Sequence, residues 1–213
     1  MLPVLSRWCL DFAILKKEGV FLMARSSDKR SRLVLAADKL FYEQGVTVTT
    51  LANIAQLADV PLGNVYYYFK TKEEIILAVI ALCHERIKQQ IKGLNDIGNT
   101  RERLQALVRQ AAGHSAETAK FGDVLGSLCQ ELGKHGGQLA TAAASLLQEI
   151  ISWCETRFTA LSKTDKARKL VMVFVSRLQG ISLLTLTFKN RNYTNQQTEY
   201  LVNWLEALAK GVK

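Results

Sequence analysis

The densest group of side chains that could bind phosphate lies in the first third of the chain. Three consecutive tyrosines, residues 66–68, follow Asn64 and precede Lys70 and Lys72. Phenol hydroxyls and amides donate hydrogen bonds to phosphate oxygens, and lysines neutralise phosphate charge. This segment therefore predicts contact with the backbone of a nucleic acid.

The residues around this group predict the elements that would position it. Residues 49–72 have the layout of a helix-turn-helix: a short helix, a tight turn and a second short helix. Thr50 is a suitable N-cap for the first helix, and Pro61 ends it. Ala58 is small enough to let the two helices approach closely. We expect the second helix to be exposed, so that its side chains can enter a major groove.

The same segment resembles the TetR (tetracycline-repressor-like) family of bacterial transcription regulators over about residues 29–75. The family pattern is a threonine pair, xxIA, an alanine, a turn valine, G-x-[LV]-Y-x-[HY]-F and K-x-K-E. It appears here as Thr49-Thr50, Ile54-Ala55, Ala58, Val60, Gly63 to Phe69 and Lys70 to Glu73. The resemblance implies an all-α fold, with a three-helix helix-turn-helix DNA-binding domain at residues 24–72. A helical effector-binding and dimerisation domain would follow at residues 73–213.

The resemblance also implies which residues touch DNA. Contacts to phosphates would come from Thr50, Asn64, Tyr66, Tyr68 and Lys72, and contacts to bases from Leu62, Gly63 and Tyr67. Phe69 would belong to the core. Ala52 stands where many relatives carry a polar or basic residue that reads a base. Recognition is therefore expected to depend more on the second helix of the motif, on thymine methyl groups and on DNA shape.

A single short recognition helix buries too little surface for tight specific binding, so a two-fold dimer is expected. Such a dimer would read two half-sites about 34–36 Å apart. The last two helices are the candidates for the dimer surface. Their apolar positions are Leu170, Phe174, Leu178, Ile181, Leu184, Phe188, Leu201, Leu205 and Leu208. One monomeric core is the alternative use of the same residues.

The body of the chain would bind a small effector, by the same resemblance. Residues 121–132 are similar to the corresponding segment of the LmrA/YxaF-like branch, which responds to drugs and flavonoids. Gly122-Asp123 departs from the glycine-cysteine pair common there. A small apolar or aromatic effector is expected. The candidate ligand-binding residues are His114, Phe121, Ser127, Trp153, Phe158 and Gln179.

Beyond the motif, apolar spacing predicts helices throughout. Thr71 and Glu74 form a capping box that begins a long fourth helix. The next helices are expected at about 100–119, 124–132, 138–161 and 165–189. A second capping box, Thr194 with Gln197, is expected to begin the last helix. A composition with 2 prolines among 213 residues agrees with this helical content.

Charge and cysteine usage narrow the class of protein. The formal net charge is +9 and is spread along the chain, which favours a polyanionic partner without a polybasic tail. Four widely spaced cysteines fit a reducing cytoplasm. Residues 170–188 are apolar enough to be considered as a membrane span. Arg177 and Gln179 at their centre favour a buried helix of a globular protein, without a membrane partner.

Motifs for catalysis and metal binding are missing from the sequence. It has no GxSxG, HExxH, P-loop or GxGxxG, so no enzyme activity, cofactor or metal site is expected. The predicted function is a dimeric, ligand-responsive transcriptional regulator, most simply a repressor that its effector releases from an operator. The alternative is a DNA-binding protein of the same fold with a partner-binding or redox-sensing role, the latter through Cys129, and no small-molecule effector.

The first 22 residues stand apart from this organisation. They lack helical and strand periodicity and precede Met23-Ala24-Arg25, which is a normal start. Residues 17–19 can be encoded by a sequence that resembles a ribosome-binding site. We expect residues 1–22 to be a translated leader, or else a flexible extension.

Overall fold

The computed structural model describes residues 25–134, 136–162 and 167–211. Within these ranges every regular element is an α-helix. In chain order the helices are α1 Arg25–Gln44, α2 Leu51–Ala58, α3 Leu62–Tyr68, α4 Lys72–Asn95, α5 Thr100–Gly113, α6 Ser115–Phe121, α7 Val124–Gly133, α8 Gly137–Ser162, α9 Ala167–Phe188 and α10 Arg191–Ala209. The predicted all-α fold is confirmed. The predicted leader lies outside the described residues.

The chain separates into two compact units. The first comprises the described residues up to Glu85 together with the segment Ser127–Ala144. The second comprises Arg86–Gly126 and the described residues from Ser145 onward. The predicted boundary between a DNA-binding domain and an effector-binding domain, after residue 72, does not coincide with the boundary between these two units. The functional division stays a prediction.

In the first unit, α1, α2 and α3 form a small three-helix head. Their apolar faces meet in a core whose members are fully or almost fully buried: Leu33, Ala36, Ala37 and Phe41 of α1, Ile54, Ala55 and Ala58 of α2, and Val65 and Phe69 at α3. The residues of α1 and α2 recur at helical spacing, which places them on the inward faces of these two helices. Because α2 and α3 have only eight and seven residues, this burial is what holds them helical.

The second unit is built around an aromatic cluster. The Phe158 ring on α8 packs edge-on against Phe174 of α9 at 5.4 Å between centroids, and Trp204 of α10 lies 5.9 Å from Phe158. Leu201 and Leu205 are fully buried in the same core. The sequence assigned Phe174, Leu201 and Leu205 to a surface between two chains. That assignment is wrong, because all three are covered by their own chain.

Helix α9 is only partly buried. Among the described residues it is the one helix long and apolar enough to cross a membrane by length and composition. One face, which includes Val171 and Phe174, is buried, whereas Leu184 and Phe188 are 44% and 59% exposed. The expectation of a buried helix holds for that first face alone. The Arg177 guanidinium lies over the Tyr200 ring, 5.0 Å from its centroid.

Two helix ends differ from the sequence prediction. The expected helix at 100–119 is broken at His114, which follows Gly113 and has φ −99° and ψ 18°. The last helix begins at Arg191 and is capped by Asn190, whose side chain accepts a hydrogen bond from the Asn192 amide at 3.0 Å. Thr194 is therefore not the cap. Its buried hydroxyl is hydrogen-bonded to Thr185 at 2.8 Å between oxygens, which ties α10 to α9.

The buried cysteine of α8 yields a test of this core. Burial raises the pKa of the Cys154 thiol to about 12 from an ordinary value of 9.0, although the Arg157 charge opposes the shift. The native chain therefore keeps a proton that the unfolded chain loses. We expect this thiol to lower the free energy of unfolding as the pH rises through the unfolded value towards the folded one.

Alkylation with iodoacetamide at pH 9.0 measures this directly, because only the thiolate reacts. Cys154 should stay unmodified in native protein and react after unfolding in urea, as followed by peptide mass mapping. The half-buried Cys129 is the internal reference and should react first in the native protein. Equal native rates at the two cysteines would contradict the buried position.

Candidate DNA-binding surface

The N-terminus of α2 is closed by a reciprocal pair of hydrogen bonds. The Thr50 hydroxyl accepts from the Asn53 amide at 3.1 Å, and the Thr50 amide donates to the Asn53 side-chain oxygen at 2.9 Å. Thr50 has extended backbone dihedrals, as an N-cap residue requires. The predicted cap is confirmed, and Asn53 completes the box. Thr50 is exposed, so its polar atoms face solvent at the positive end of the helix dipole.

The turn between α2 and α3 depends on a residue from α1. Asp59 adopts the left-handed conformation, with φ 51° and ψ 51°, and ends α2. The Arg32 guanidinium donates to the Ala58 carbonyl and, at 2.7 Å, to the Asp59 carbonyl. It also pairs with the Asp59 carboxylate at 3.1 Å. Arg32 thus satisfies the carbonyls that the helix end leaves unpaired and fixes the angle at which α3 leaves α2.

Helix α3 presents most of the predicted contact residues on one exposed surface. Tyr66 and Tyr67 are 49% and 75% exposed, and Leu62 is 44% exposed. No atom lies within 4 Å of the position that a Cβ would occupy at Gly63, so the backbone there is open to a close approach by DNA. Asn64 is exposed beside them. We call this surface, formed by Leu62, Gly63, Asn64, Tyr66 and Tyr67, the α3 face.

The other side of α3 anchors it to the head. Val65 is fully buried, and Phe69 is buried beneath the Arg30 guanidinium, which lies 4.9 Å from its ring centroid. Phe69 is therefore a core residue, as expected. Tyr68 is only half-exposed and meets Tyr67 edge-on at 5.0 Å between centroids. Its ring supports the α3 face from beside it.

The two lysines after α3 are engaged with backbone oxygens. The Lys70 ammonium donates to the Tyr66 carbonyl at 2.7 Å, at the C-terminal end of α3. The Lys72 ammonium donates to the Thr47 carbonyl at 3.2 Å. At the start of α4, the Glu74 amide donates to the Thr71 hydroxyl at 3.3 Å, which is one half of the predicted capping box, whereas the Glu74 carboxylate accepts from the Lys70 amide at 2.7 Å. Both lysines are thereby held next to the helix-turn-helix motif.

The candidate effector residues occupy different surroundings. Trp153 and Phe158 are buried in the aromatic cluster, and the Trp153 indole donates to the Asn95 side chain at 3.0 Å. Gln179 on α9 donates to the Asp123 carboxylate at 3.3 Å. That same carboxylate accepts from the Gly126 amide at 2.7 Å and caps α7. A Cβ at Gly126 would lie 2.3 Å from Gln179 Oε1, so a larger residue there would displace the end of the Gln179 side chain.

The remaining candidates lie at helix ends and on α7. His114 is half-buried at the break between α5 and α6, and its carbonyl accepts from the Thr118 amide at 2.8 Å. Phe121 is half-buried in the last turn of α6. Ser127 is half-buried and belongs to the first unit. In the part of the chain that the structure describes, no group of three or more acidic, histidine or cysteine side chains could hold a metal ion.

Sequence reasoning missed Arg32 and Asp123. Arg32 acts 27 positions away from its partner Asp59, so no local pattern indicates the contact. Asp123 precedes α7 directly and lies three residues before Gly126. The sequence could have indicated it as the N-cap of α7, because aspartate is a preferred N-cap residue.

In a helix-turn-helix of this kind, one side of the second helix is anchored in the core and the other side exposes clustered polar side chains. This arrangement is typical of a DNA-binding protein. The sequence pattern of the bacterial regulatory proteins of the tetR family matches residues 33–79. The chain belongs to the TetR family of transcriptional regulators. Proteins of this family generally are not enzymes.

Individual relatives extend the likeness beyond the head. The chain is 30% identical over 111 residues to the probable HTH-type transcriptional regulator ArpR of Pseudomonas putida, covering 49% of this chain and 52% of that protein. It thus spans about half the length of the first curated relatives it matches. It is 26% identical over 186 residues to the HTH-type transcriptional repressor NemR of Escherichia coli K12, covering 84% and 82%.

Solved structures share the fold across the described body as well. A TetR transcriptional regulator from Chloroflexus aurantiacus superposes with a TM-score of 0.77 at 18% identity, covering 86% of this chain and 97% of that one. At this identity the likeness concerns the fold alone. The LmrA/YxaF-like branch stays a prediction.

The N-cap of α2 provides a test of how the surface is built. Thr50→Ala removes the acceptor for the Asn53 amide and should cost about 1 kcal/mol of unfolding free energy, as measured by urea denaturation. Thr50→Ser keeps the hydroxyl and should restore most of the loss. If serine were as destabilising as alanine, the threonine methyl group rather than the cap would be responsible.

Proposed function

We propose that this protein is a dimeric, ligand-responsive repressor that binds operator DNA through the α3 face and the N-terminus of α2. The observation that carries the proposal is the exposure of Leu62, Asn64, Tyr66 and Tyr67 on a helix whose opposite side is buried. The likeness to a protein named as a repressor supports repression as the output. The DNA-binding contacts proposed are Thr50, Leu62, Gly63, Asn64, Tyr66, Tyr67, Tyr68 and Lys72.

The chemistry of this surface matches a DNA backbone. The ammonium groups of Lys70 and Lys72 rest on carbonyls, which are neutral acceptors, so phosphate oxygens can compete for them with a stronger, charge-assisted bond. The phenols of Tyr66 and Tyr67 add neutral donors. Since the whole chain carries a net charge of +9, its long-range field attracts DNA as well. We place the protein in the cytoplasm, where operator DNA is found.

Removal of one phenol hydroxyl tests the DNA contact. Purified protein should retard a duplex taken from the region upstream of its own gene, and its affinity should fall steeply with salt. Tyr66→Phe deletes only the hydroxyl from each half-site and should weaken binding by roughly tenfold, since each neutral hydrogen bond contributes about 0.5–1.5 kcal/mol. Fluorescence anisotropy measures this dissociation constant.

A matched variant controls for loss of any phenol. Tyr193→Phe makes the same change on α10. The Tyr193 ring packs against Phe188, and the loss of its hydroxyl should leave DNA affinity unchanged. Failure of the wild-type protein to bind promoter-proximal DNA at low salt would refute the proposed function. Equal affinities for wild type and Tyr66→Phe would remove Tyr66 from the contact set.

The dimer is proposed to form through the outer side of α9, with α10 beside it. The exposed apolar residues of these helices are Met172, Val173, Leu183, Leu184 and Phe188 on α9 and Tyr200 on α10. The α9 residues lie on one side of the helix and form an apolar stripe in two parts, 172–173 and 183–188, with Ser176 and Gly180 between them. An apolar stripe of this length is typical of an interface with a second copy.

A charge placed on this stripe should separate the subunits. Leu184→Glu buries a carboxylate twice in a symmetric interface and should raise the dimer dissociation constant by roughly a hundredfold, with helix content unchanged. Analytical ultracentrifugation measures the constant. Gln130→Glu adds the same charge at an exposed position of α7 and should leave it unchanged. A Leu184→Glu variant that dimerises normally would exclude this surface.

Effector release is proposed on the likeness of the family, whose members respond to small molecules. The candidate residues remain His114, Phe121, Ser127, Trp153, Phe158 and Gln179. Because Phe158 is completely buried among rings, an effector that reaches it must displace core packing. A screen of apolar and aromatic compounds for loss of DNA retardation discriminates this function from a DNA-binding protein that has no effector.

A further inference from the structure

A carboxylate from α7 holds the turn that leads into the DNA-binding motif. The Val46 amide donates to Glu131 Oε2 at 2.7 Å, and the Thr47 amide donates to Glu131 Oε1. Both partners lie in the first compact unit, although 85 positions separate Glu131 from Val46 in the sequence. The two carboxylate oxygens thus bind two consecutive backbone amides of the turn between α1 and α2.

The turn is shaped to receive this carboxylate. Gly45 has φ +93°, and a Cβ at that position would lie 3.2 Å from Glu131 Oε2. A side chain there would be strained and would crowd the carboxylate, so glycine permits both the conformation and the close approach. Later in the turn, Thr49 is fully buried, and its hydroxyl donates to the Gly45 carbonyl at 2.7 Å.

The peptide groups of Thr47 lie between two charged side chains, Glu131 and Lys72. The Thr47 amide faces Glu131, whereas the Thr47 carbonyl accepts from the Lys72 ammonium at 3.2 Å. Burial alone raises the pKa of the Glu131 carboxyl. Hydrogen bonds from Thr47 and Val46 and the charge of Lys72 together lower the pKa by more, so it lies below its usual value. Glu131 is therefore ionised at neutral pH, and Thr47 is held between an anion and a cation.

We propose that Glu131 is a positioning residue for DNA binding, which fixes the turn at residues 45–49 and, through it, the proposed phosphate contacts Thr50 and Lys72. The proposal rests on the proposed function. Thr50 follows the turn directly and begins α2, and Lys72 donates to the turn itself. A turn that moved would carry both groups out of register with the phosphates. Glu131 itself does not touch DNA, because a carboxylate repels phosphate.

Substitution of Glu131 tests this through the sign of the effect. Loss of a negative charge near a DNA-binding surface strengthens binding by simple electrostatics. Positioning predicts the opposite: Glu131→Gln should weaken operator binding by roughly tenfold, because it replaces one of the two accepting oxygens with an NH2 group, a donor that faces a donor amide of the turn. Glu131→Asp keeps the charge but is too short to span both amides, so it should also weaken binding. Fluorescence anisotropy with the promoter-proximal duplex measures each affinity.

Two controls separate positioning from charge and from general stability. Glu43→Gln removes the same charge from α1, where Glu43 is paired with Lys39 at 3.9 Å, and should bind as tightly as wild type or more tightly. Ile87→Val destabilises a fully buried site of the second unit and should leave DNA affinity unchanged. Hydrogen exchange without DNA should show faster exchange at Val46 and Thr47 in Glu131→Gln, with Phe69 unchanged.

The possible results are distinct. Wild-type binding together with unchanged or tighter binding by Glu131→Gln overturns the positioning role and leaves the proposed function intact. Normal affinity in Glu131→Asp, or unaltered exchange at the turn amides, overturns it as well. If the wild-type protein binds no promoter-proximal DNA, the proposed function fails, and the positioning role fails with it.

Discussion

The proposed DNA-binding surface depends on hydrogen bonds to the backbone groups at the ends of two very short helices. Helices of eight and seven residues do not persist alone in water, since too few internal hydrogen bonds repay the cost of nucleation. In this protein the ends of α2 are closed by Thr50 and Asn53 on one side and by Arg32 on the other. Burial of Ile54 and Val65 supplies the remaining stability. The α3 face can stay exposed because Val65 and Phe69, on the other side of the helix, are buried in the head.

The sequence was informative where the interaction is local. The start of α2, the cap at Thr50 and the core position of Phe69 follow from spacing and residue type within the motif, whereas α2 ends at Ala58, before the predicted Pro61. The contacts of Arg32 and Glu131 did not follow, because each joins residues that are 26 or more positions apart. Neither arginine nor glutamate shows its partner in a single sequence. The long-range polar contacts that hold the motif therefore require the structure.

The body illustrates the same limit for apolar residues. Helical spacing correctly indicates that Phe174 and Leu184 belong to one apolar helix, but it does not tell which chain covers each of them. Phe174 is enclosed by its own chain, whereas Leu184 is 44% exposed. At the start of α10, Thr194 and Asn190 both have side chains suited to capping. The hydroxyl of Thr185, nine positions before Thr194, decides between them by pairing with Thr194.

The family sequence pattern and the first compact unit cover different ranges of residues. The family pattern ends at residue 79, but the first compact unit also includes Ser127–Ala144. Within that segment, Glu131 accepts the amides of Val46 and Thr47, which no residue of the motif itself accepts in the described structure. A head cut after the motif would leave these donors to water and would lose the anion that opposes Lys72 across Thr47. The turn that leads into the proposed DNA-binding surface is thus held by a residue that lies far outside the sequence by which the family is recognised.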